Sequence, residues 1–307
     1  MGAPSAVRSL WGTARGPFLL LTPACVMLGV AVAWTQRPAQ VSAVAFWGHA
    51  ALALLAGLCA HVSVNMLNEF VDARTGLDDR TVRTPFSGGS GTLQAHPELA
   101  MAALWGGVLT LVLAALMGLA LLAWLPGVWM QMAPLGLLGL ALVAGYSPWI
   151  ARHPWLCLVA PGAGFGLVMV AGTACVLSGL HSVQAWGLSL VPFALVNNLL
   201  LLNQFPDVDA DRSVGRRTLP VALGRAACTR VAVAQWALAY TVIAGGVLLA
   251  GWPAGSLLGL LTLPLAAQAG GALRRAPDAP QAWAAALGRN VGVTLLTPVL
   301  VAVGWLI

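Results

Sequence analysis

Nine apolar runs, each about as long as the hydrocarbon core of a bilayer is thick, decide most of what this chain can become. They fall at roughly 16–34, 43–67, 101–124, 128–147, 156–178, 184–202, 228–250, 254–273 and 290–307. With 59% hydrophobic residues, 8% charged residues and a mean hydropathy of +0.86, the sequence is too apolar for a water-soluble globule. A membrane β-barrel would show short alternating segments, and none is present. The expected fold is all-α: a polytopic bundle of about nine transmembrane helices, with residues 1–307 forming a single integral membrane domain.

The basic residues orient the bundle, because loops on the cytoplasmic face collect positive charge. All fifteen are arginine. Taking the loops alternately, fourteen share one face, from Arg8 and Arg15 before the first run to Arg274, Arg275 and Arg289 after the eighth, and only Arg37 lies opposite. This predicts a cytoplasmic N-terminus and an external C-terminus. The first run continues into further spans and lacks a small-residue cleavage site, so it reads as a membrane helix and not a removable signal. The net charge of +6 is accounted for by this bias together with an anion site, since no nucleic-acid-binding module is recognisable.

Against this apolar background, seven of the nine acidic residues gather in two clusters that repeat one phrase. Asn68-Glu69-Phe70-Val71-Asp72 is answered by Asn203-Gln204-Phe205-Pro206-Asp207. Each closes an apolar run and is followed by more carboxylates, Asp78 and Asp79 in one case and Asp209 and Asp211 in the other. Arg83-Thr84-Pro85 then follows the first, and Arg217-Thr218-Leu219-Pro220 the second. Four runs separate the clusters, which places both on the cytoplasmic side and predicts a parallel pseudo-repeat of four helices plus one.

Asn203, Asp207 and Asp211 are spaced four apart, as are Asn68 and Asp72, with Asn65 a turn earlier. While the helix persists, such residues share a face. Stacked carboxylates repel one another unless a divalent cation bridges them. Oxygen-only ligands select a hard ion such as magnesium, which keeps waters and shares substrate phosphate oxygens. Asp207-Val208-Asp209-Ala210-Asp211 begins like an EF-hand loop but has Arg212 and Thr218 where that loop needs glycine and glutamate. Arg80, Arg83, Arg216 and Arg217 stand close behind the acids, where guanidinium groups grip phosphate oxygens. A cation and arginines together suit a diphosphate.

Other residues carry less. The absence of lysine excludes a Walker A loop and a Schiff-base lysine, whatever Ser87-Gly88-Gly89-Ser90-Gly91 evokes. Cys25, Cys59, Cys157, Cys175 and Cys228 show no metal or disulfide spacing. Nor do His49, His61, His96, His153 and His181, although His61 sits one and two turns before Asn65 and Asn68 and reads as core or cavity lining. Gly162-Ala163-Gly164-Phe165-Gly166 has the small-residue spacing of close helix packing.

Taken together, these motifs resemble the UbiA superfamily of intramembrane aromatic prenyltransferases. That family carries an aspartate-rich motif of roughly N-D-x-x-D-x-x-x-D after the second helix and D-x-x-x-D after the sixth. The second motif is intact here as Asp207 and Asp211, with Asn203 before it. The first departs from the pattern, with Glu69 in place of aspartate, Gly76 at the final acid's position and Asp78 two places on. That glycine and displaced aspartate look like the 1,4-dihydroxy-2-naphthoate polyprenyltransferase branch of menaquinone (quinone) biosynthesis.

The resemblance implies a prenyltransferase of a bacterial inner membrane, an all-helical bundle with a central cavity open to the cytoplasm at a polar cap and sideways to lipid. Magnesium would be held by Asp72, Asp78, Asp207 and Asp211, with Asn68 and Asn203 assisting, and would neutralise the diphosphate of a polyprenyl donor. Arg83 and Arg217 would stabilise the departing charge. The allylic cation, its tail shielded from water, would then be attacked by an aromatic acceptor. Tyr146 and Arg152 would line the acceptor site, Asn65 and Arg80 would contribute to substrate binding, and Glu69 would sit behind the metal ligands.

Rival readings have specific weaknesses. A CDP-alcohol phosphotransferase lacks its Asp-Gly signature here, since no Asp-Gly pair occurs. A secondary transporter would place its acids near the bilayer midplane, and a non-catalytic scaffold would need no matched acid clusters. Within the family, 4-hydroxybenzoate, homogentisate, a porphyrin, or cyclisation of the prenyl chain itself remain alternatives to the dihydroxynaphthoate acceptor.

Overall fold

The computed structural model describes residues 3–81, 83–84, 87–124, 127, 129–179 and 182–307, so Pro85 and His181 lie outside the described residues. Among the described residues there is no strand, and nine long helices carry the chain: α1 Gly16–Thr35, α2 Ala43–Thr75, α3 Pro97–Trp124, α4 Trp129–Gly145, α5 Pro154–Ser178, α6 Val183–Asn203, α7 Arg225–Leu249, α8 Ala254–Arg275 and α9 Pro280–Leu306. Eight of them are long and apolar enough to cross a membrane, and α4 is the shorter apolar one. At about 1.5 Å per residue its 17 residues reach roughly 25 Å, close to the hydrocarbon thickness. Parity requires α4 to cross as well. The C-terminal ends of α2 and α6 meet at one cavity, which is possible only if an even number of crossings separates them.

The helices overrun two of the apolar segments. α2 continues through Asn68 and Asp72 to Thr75, and α9 begins at Pro280, well before its apolar run. Hydropathy marks where a helix lies in lipid, whereas backbone hydrogen bonding persists beyond that boundary.

Burial sorts the bundle into a hub and a rim. Within its most apolar stretch α6 is 72% buried, against 17% for α3, whose Trp105, Leu109 and Leu116 face outward. The main core therefore gathers on α6, where Leu188, Leu195 and Leu202 pack with α1, α7 and α9 residues such as Leu28, Ile243 and Val293.

Small residues set how closely α5 approaches that hub. A Cβ at Gly166 would meet the Phe193 backbone nitrogen at 2.8 Å, and one at Gly162 would meet the Asn197 side-chain amide, whose Oδ1 accepts a hydrogen bond from the Gly162 N–H at 2.7 Å. The packing role expected of this glycine motif therefore holds for Gly162 and Gly166, while Gly164 has open space before it and lines the cavity. From Ala163 to Gly172 the helix widens to π-helical winding. Such winding recurs at functional sites.

Candidate active site

Each acid cluster reaches the cavity through a local break in its helix. α2 ends at Gly76, whose φ of 68° closes the helix in the left-handed region that glycine adopts without steric penalty. The Leu77 N–H then returns to the Asp72 carbonyl at 3.1 Å, and the chain turns back so that Asp78 faces the cavity beside Asp72. The carboxylate set two places along the sequence is thus brought back by the turn. On the other side α6 stops at Asn203, and the residues Gln204–Asp207 form a turn before a short helix, Val208–Ser213. This corrects the expectation of one continuous helical face, because Pro206 has no N–H and its ring would clash with the carbonyl a turn earlier. Asn203, Asp207 and Asp211 nonetheless all line the same cavity.

That cavity, of about 220 Å³, has a charged end and an apolar end. Asp72, Asp78, Asp207 and Asp211 supply four carboxylates, and Arg15 and Arg216 two guanidinium groups. Arg216 joins the clusters: its Nη2 donates to Asp72 Oδ1 at 2.7 Å, and its Nη1 stands 3.8 Å from Asp211 Oδ1. Thr218 donates to Asp211 Oδ2 at 3.1 Å. Outside the cavity, Arg80 Nη1 donates to the Ser213 carbonyl at 3.1 Å and to its Oγ at 3.0 Å, tying the two acid-bearing loops together.

Two acceptors are left over. Asp207 Oδ1 and Asn203 Oδ1 are buried and have no protein partner. Orphaned buried acceptors are costly, and a cation is one group that satisfies them. Among the described residues no three carboxylates, histidines or cysteines close tightly enough to ring a bare ion. An open arrangement of this kind fits magnesium, which retains waters and completes its shell with phosphate oxygens.

The electrostatics agree with a site built for a counter-ion. Burial, reinforced by Asp211, pushes the Asp207 carboxyl up to about 7. Burial raises Asp211 to about 6 against the opposing pull of Arg216, and burial with Glu69 raises Asp78. Burial opposes the Arg216 charge, but Asp72 and Asp211 outweigh it and hold the guanidinium more firmly protonated.

The arginines divide differently from expectation. Arg216 lines the cavity, but Arg80, Arg83, Arg152 and Arg217 are exposed and do not line it. Arg83 acts at one remove, donating to Gln94 Oε1 at 2.9 Å while Gln94 Nε2 donates to Asp78 Oδ2 at 3.0 Å. The reason for the Arg216/Arg217 difference is local. Residues 216–218 form a non-helical stretch, in which successive side chains point to opposite sides, so Arg216 and Thr218 face inward and Arg217 faces out.

Asn65, Asn68 and Tyr146 line the cavity as expected. Asn65 Nδ2 donates to the Ala14 carbonyl at 2.9 Å and Asn68 Nδ2 to Ser147 Oγ at 3.0 Å. The Tyr146 hydroxyl lies 3.8 Å from Cys157 Sγ, and burial keeps it protonated. Arg15, assigned only a topological part from the sequence, is the residue missed. It lines the cavity, and among the described residues it is the one non-glycine with positive φ, at 53°. Its place before α1, on the same face as both acid clusters, was the available signal. Glu69 is fully buried and does not line the cavity, and Asp79 is exposed.

Beyond the charges the cavity is apolar, walled by Leu142, Val143, Phe165, Met169, Leu199 and Leu200. His61 also faces it, bonded through Nδ1 to Thr22 Oγ1 at 2.9 Å and edge-on to Phe165, which matches the cavity-lining role read from its position.

Fold and site together define an integral membrane protein whose all-helical bundle encloses a chamber polar at one end and greasy at the other. The chain belongs to the UbiA prenyltransferase family, whose model matches residues 20–291. Its fold is similar to that of a digeranylgeranylglyceryl phosphate synthase, at 12% identity and a TM-score of 0.68, covering 98% of this chain and 99% of that one. It is also similar to a UbiA homologue from Archaeoglobus fulgidus bound to DMAPP and Mg2+, at 16% identity, a TM-score of 0.66 and coverage of 96% and 99%. A third similar fold is the apo UbiA homologue from Aeropyrum pernix K1, at 17% identity, a TM-score of 0.64 and coverage of 94% and 96%. No curated protein matches the sequence.

Proposed function

We propose that this protein transfers a polyprenyl group from its diphosphate to an aromatic acceptor, with magnesium as cofactor and 1,4-dihydroxy-2-naphthoate as the acceptor. The observation that carries the reading is the convergence of both acid clusters and Arg216 on one cavity whose other end is apolar. The similar Archaeoglobus fulgidus fold binds DMAPP with Mg2+, and the donor set here suits the same pair. The acceptor assignment is supported by the first acid motif, in which Gly76 turns the chain so that Asp78 reaches the cavity. The arginine distribution supports a cytoplasmic opening in a bacterial inner membrane.

In this mechanism Asp72, Asp78, Asp207 and Asp211, with Asn68 and Asn203, would hold the cofactor, which when bound would neutralise the donor diphosphate. Arg216 and Arg15 present guanidinium groups to the charge that develops as the C–O bond breaks. The wall of Phe165, Met169, Leu199 and Leu200 keeps water from the prenyl chain. Tyr146, which lines the cavity, orients an aromatic ring against the allylic carbon. For a dihydroxynaphthoate, attack by the ring carbon is followed by loss of its carboxylate as carbon dioxide.

Purified protein supplied with Mg2+, a panel of polyprenyl diphosphates and a panel of aromatic acids is expected to release diphosphate and form a prenylated, decarboxylated naphthoquinol, read by mass spectrometry. Turnover with 4-hydroxybenzoate alone would replace the acceptor, and no diphosphate release from any pair would end the reading.

The raised carboxyls make cofactor binding pH-dependent. Protons compete with the cation for Asp207 and Asp211, so Mg2+ affinity measured by calorimetry is expected to rise with pH, by up to about tenfold per unit between pH 6 and 7 where one proton is displaced and more steeply below pH 6 where two are, and to level off above pH 7. A flat profile between pH 5.5 and 8 would contradict the ligand assignment. Arg83→Ala, removing a group that acts through Gln94, is expected to raise the donor KM by less than about tenfold and to leave the acceptor KM unchanged.

A further inference from the structure

Glu69 and the glycine-rich loop Ser87–Gly91 are left without a part in the reaction as described, and the structure joins them. Glu69 is 0% exposed, and both of its oxygens are committed to protein donors. Oε1 accepts from the Ser90 N–H at 2.8 Å and from Arg15 Nε at 2.7 Å, and Oε2 accepts from Ser90 Oγ at 2.7 Å. The acid that departs from the family pattern is therefore turned away from the cavity and toward the loop.

The loop it holds is part of the cavity wall. Ser87, Gly88 and Gly89 line the chamber, and Gly88, Gly89 and Gly91 have φ values of 86°, 71° and 77°. A Cβ at Gly89 would lie 2.8 Å from Asp78 Oδ2 and 2.9 Å from Oδ1, so the bare backbone sits directly against that carboxylate. Gly12, three residues before Arg15, lies against Thr92 just beyond the loop. Three separate segments thus meet at Glu69: the turn before α1, the C-terminal end of α2 and the wall loop.

We propose that Glu69 is a positioning residue that seats the Ser87–Gly91 loop as a water barrier, and so decides whether the prenyl cation is captured by the acceptor or by water. The inference rests on the prenyl-transfer reading above. Ionisation breaks the allylic C–O bond, and its electron pair leaves with the diphosphate. The cation then takes an electron pair either from an acceptor ring carbon, which subsequently sheds carbon dioxide or a proton, or from a water oxygen, which releases a proton to solvent and leaves a prenyl alcohol. A carboxylate accepts from Ser90 N, Ser90 Oγ and Arg15 at once. An amide, with one carbonyl oxygen, loses part of that set.

The test compares wild type with Glu69→Gln and, as a milder change, Ser90→Ala, using geranyl diphosphate, Mg2+ and whichever aromatic acid the wild type prenylates. Total diphosphate release, prenylated acceptor and prenyl alcohol are quantified together. Both variants are expected to raise the alcohol-to-acceptor product ratio at least fivefold while total release stays within about threefold. Backbone amides of residues 87–91 are expected to exchange hydrogen faster in both, a readout that needs no substrate. A general loss of structure would lower both products in proportion, and that result overturns the proposal. So does a normal product ratio, an unchanged exchange rate, or loss of Mg2+ binding in Glu69→Gln, which would make Glu69 a metal ligand. Failure of the wild type to release diphosphate at all is a different result, and it falls on the function itself.

Discussion

Asp207→Asn is expected to abolish Mg2+-dependent diphosphate release, by at least about a thousandfold, while leaving the protein as stable as before or more so. Asp207 contributes a buried oxygen with no protein partner, and its carboxyl is pushed up to about 7 by burial and by Asp211. Its charge therefore costs folding free energy in the absence of a cation. Removing that charge relieves the desolvation cost of burying it, on the order of 1–3 kcal/mol, equivalent to a rise of a few degrees in melting temperature. Added Mg2+ should then raise the melting temperature of the wild type and not that of the variant. A variant that keeps turnover, or one that unfolds as readily with Mg2+ as a packing mutant would, contradicts the assignment of Asp207 as a ligand held in readiness.

Arg216→Ala is expected to fail in the opposite manner, losing stability and activity together. Among the described residues its guanidinium is the one protein cation within ion-pair distance of Asp72 and Asp211, each of them buried. Deleting one partner of a buried ion pair strands the other charge, at a cost of about 3–5 kcal/mol. Because a divalent cation can replace the lost positive charge, millimolar Mg2+ should recover more melting temperature in Arg216→Ala than it adds to wild type. Recovery of stability without recovery of diphosphate release would separate the structural part of Arg216 from its part in catalysis. Arg217→Ala, one residue along but facing outward, serves as the control and is expected to change neither quantity appreciably.

The contrast between those two neighbours shows where sequence reasoning reached its limit. The gathering of positive charge on one set of loops was legible, and so was the demand of two acid clusters for a counter-ion. Which arginine answers that demand was not. Arg216 turns inward because residues 216–218 are not helical and Arg216 and Thr218 line the cavity on either side of an exposed Arg217, whereas a helical reading of the same stretch would have grouped Arg216 with neighbours three and four residues away. Arg15 went unrecognised for a related reason. Its side chain meets Glu69 across a sequence separation of 54, and no local pattern encodes a contact of that range.

The number of spans and the sidedness of the acids, by contrast, were readable from one dimension, because lipid imposes a length and a polarity on every segment independently of its neighbours. Apolar length located the helices, and parity put Asp72 and Asp207 on one side. The meeting of their clusters around Arg216, the return of Asp78 through the Gly76 turn and the seating of Ser90 on Glu69 belong to the tertiary structure alone. Each depends on backbone direction at a helix end and on contacts between residues far apart in the chain, and those exist only once the helices have packed.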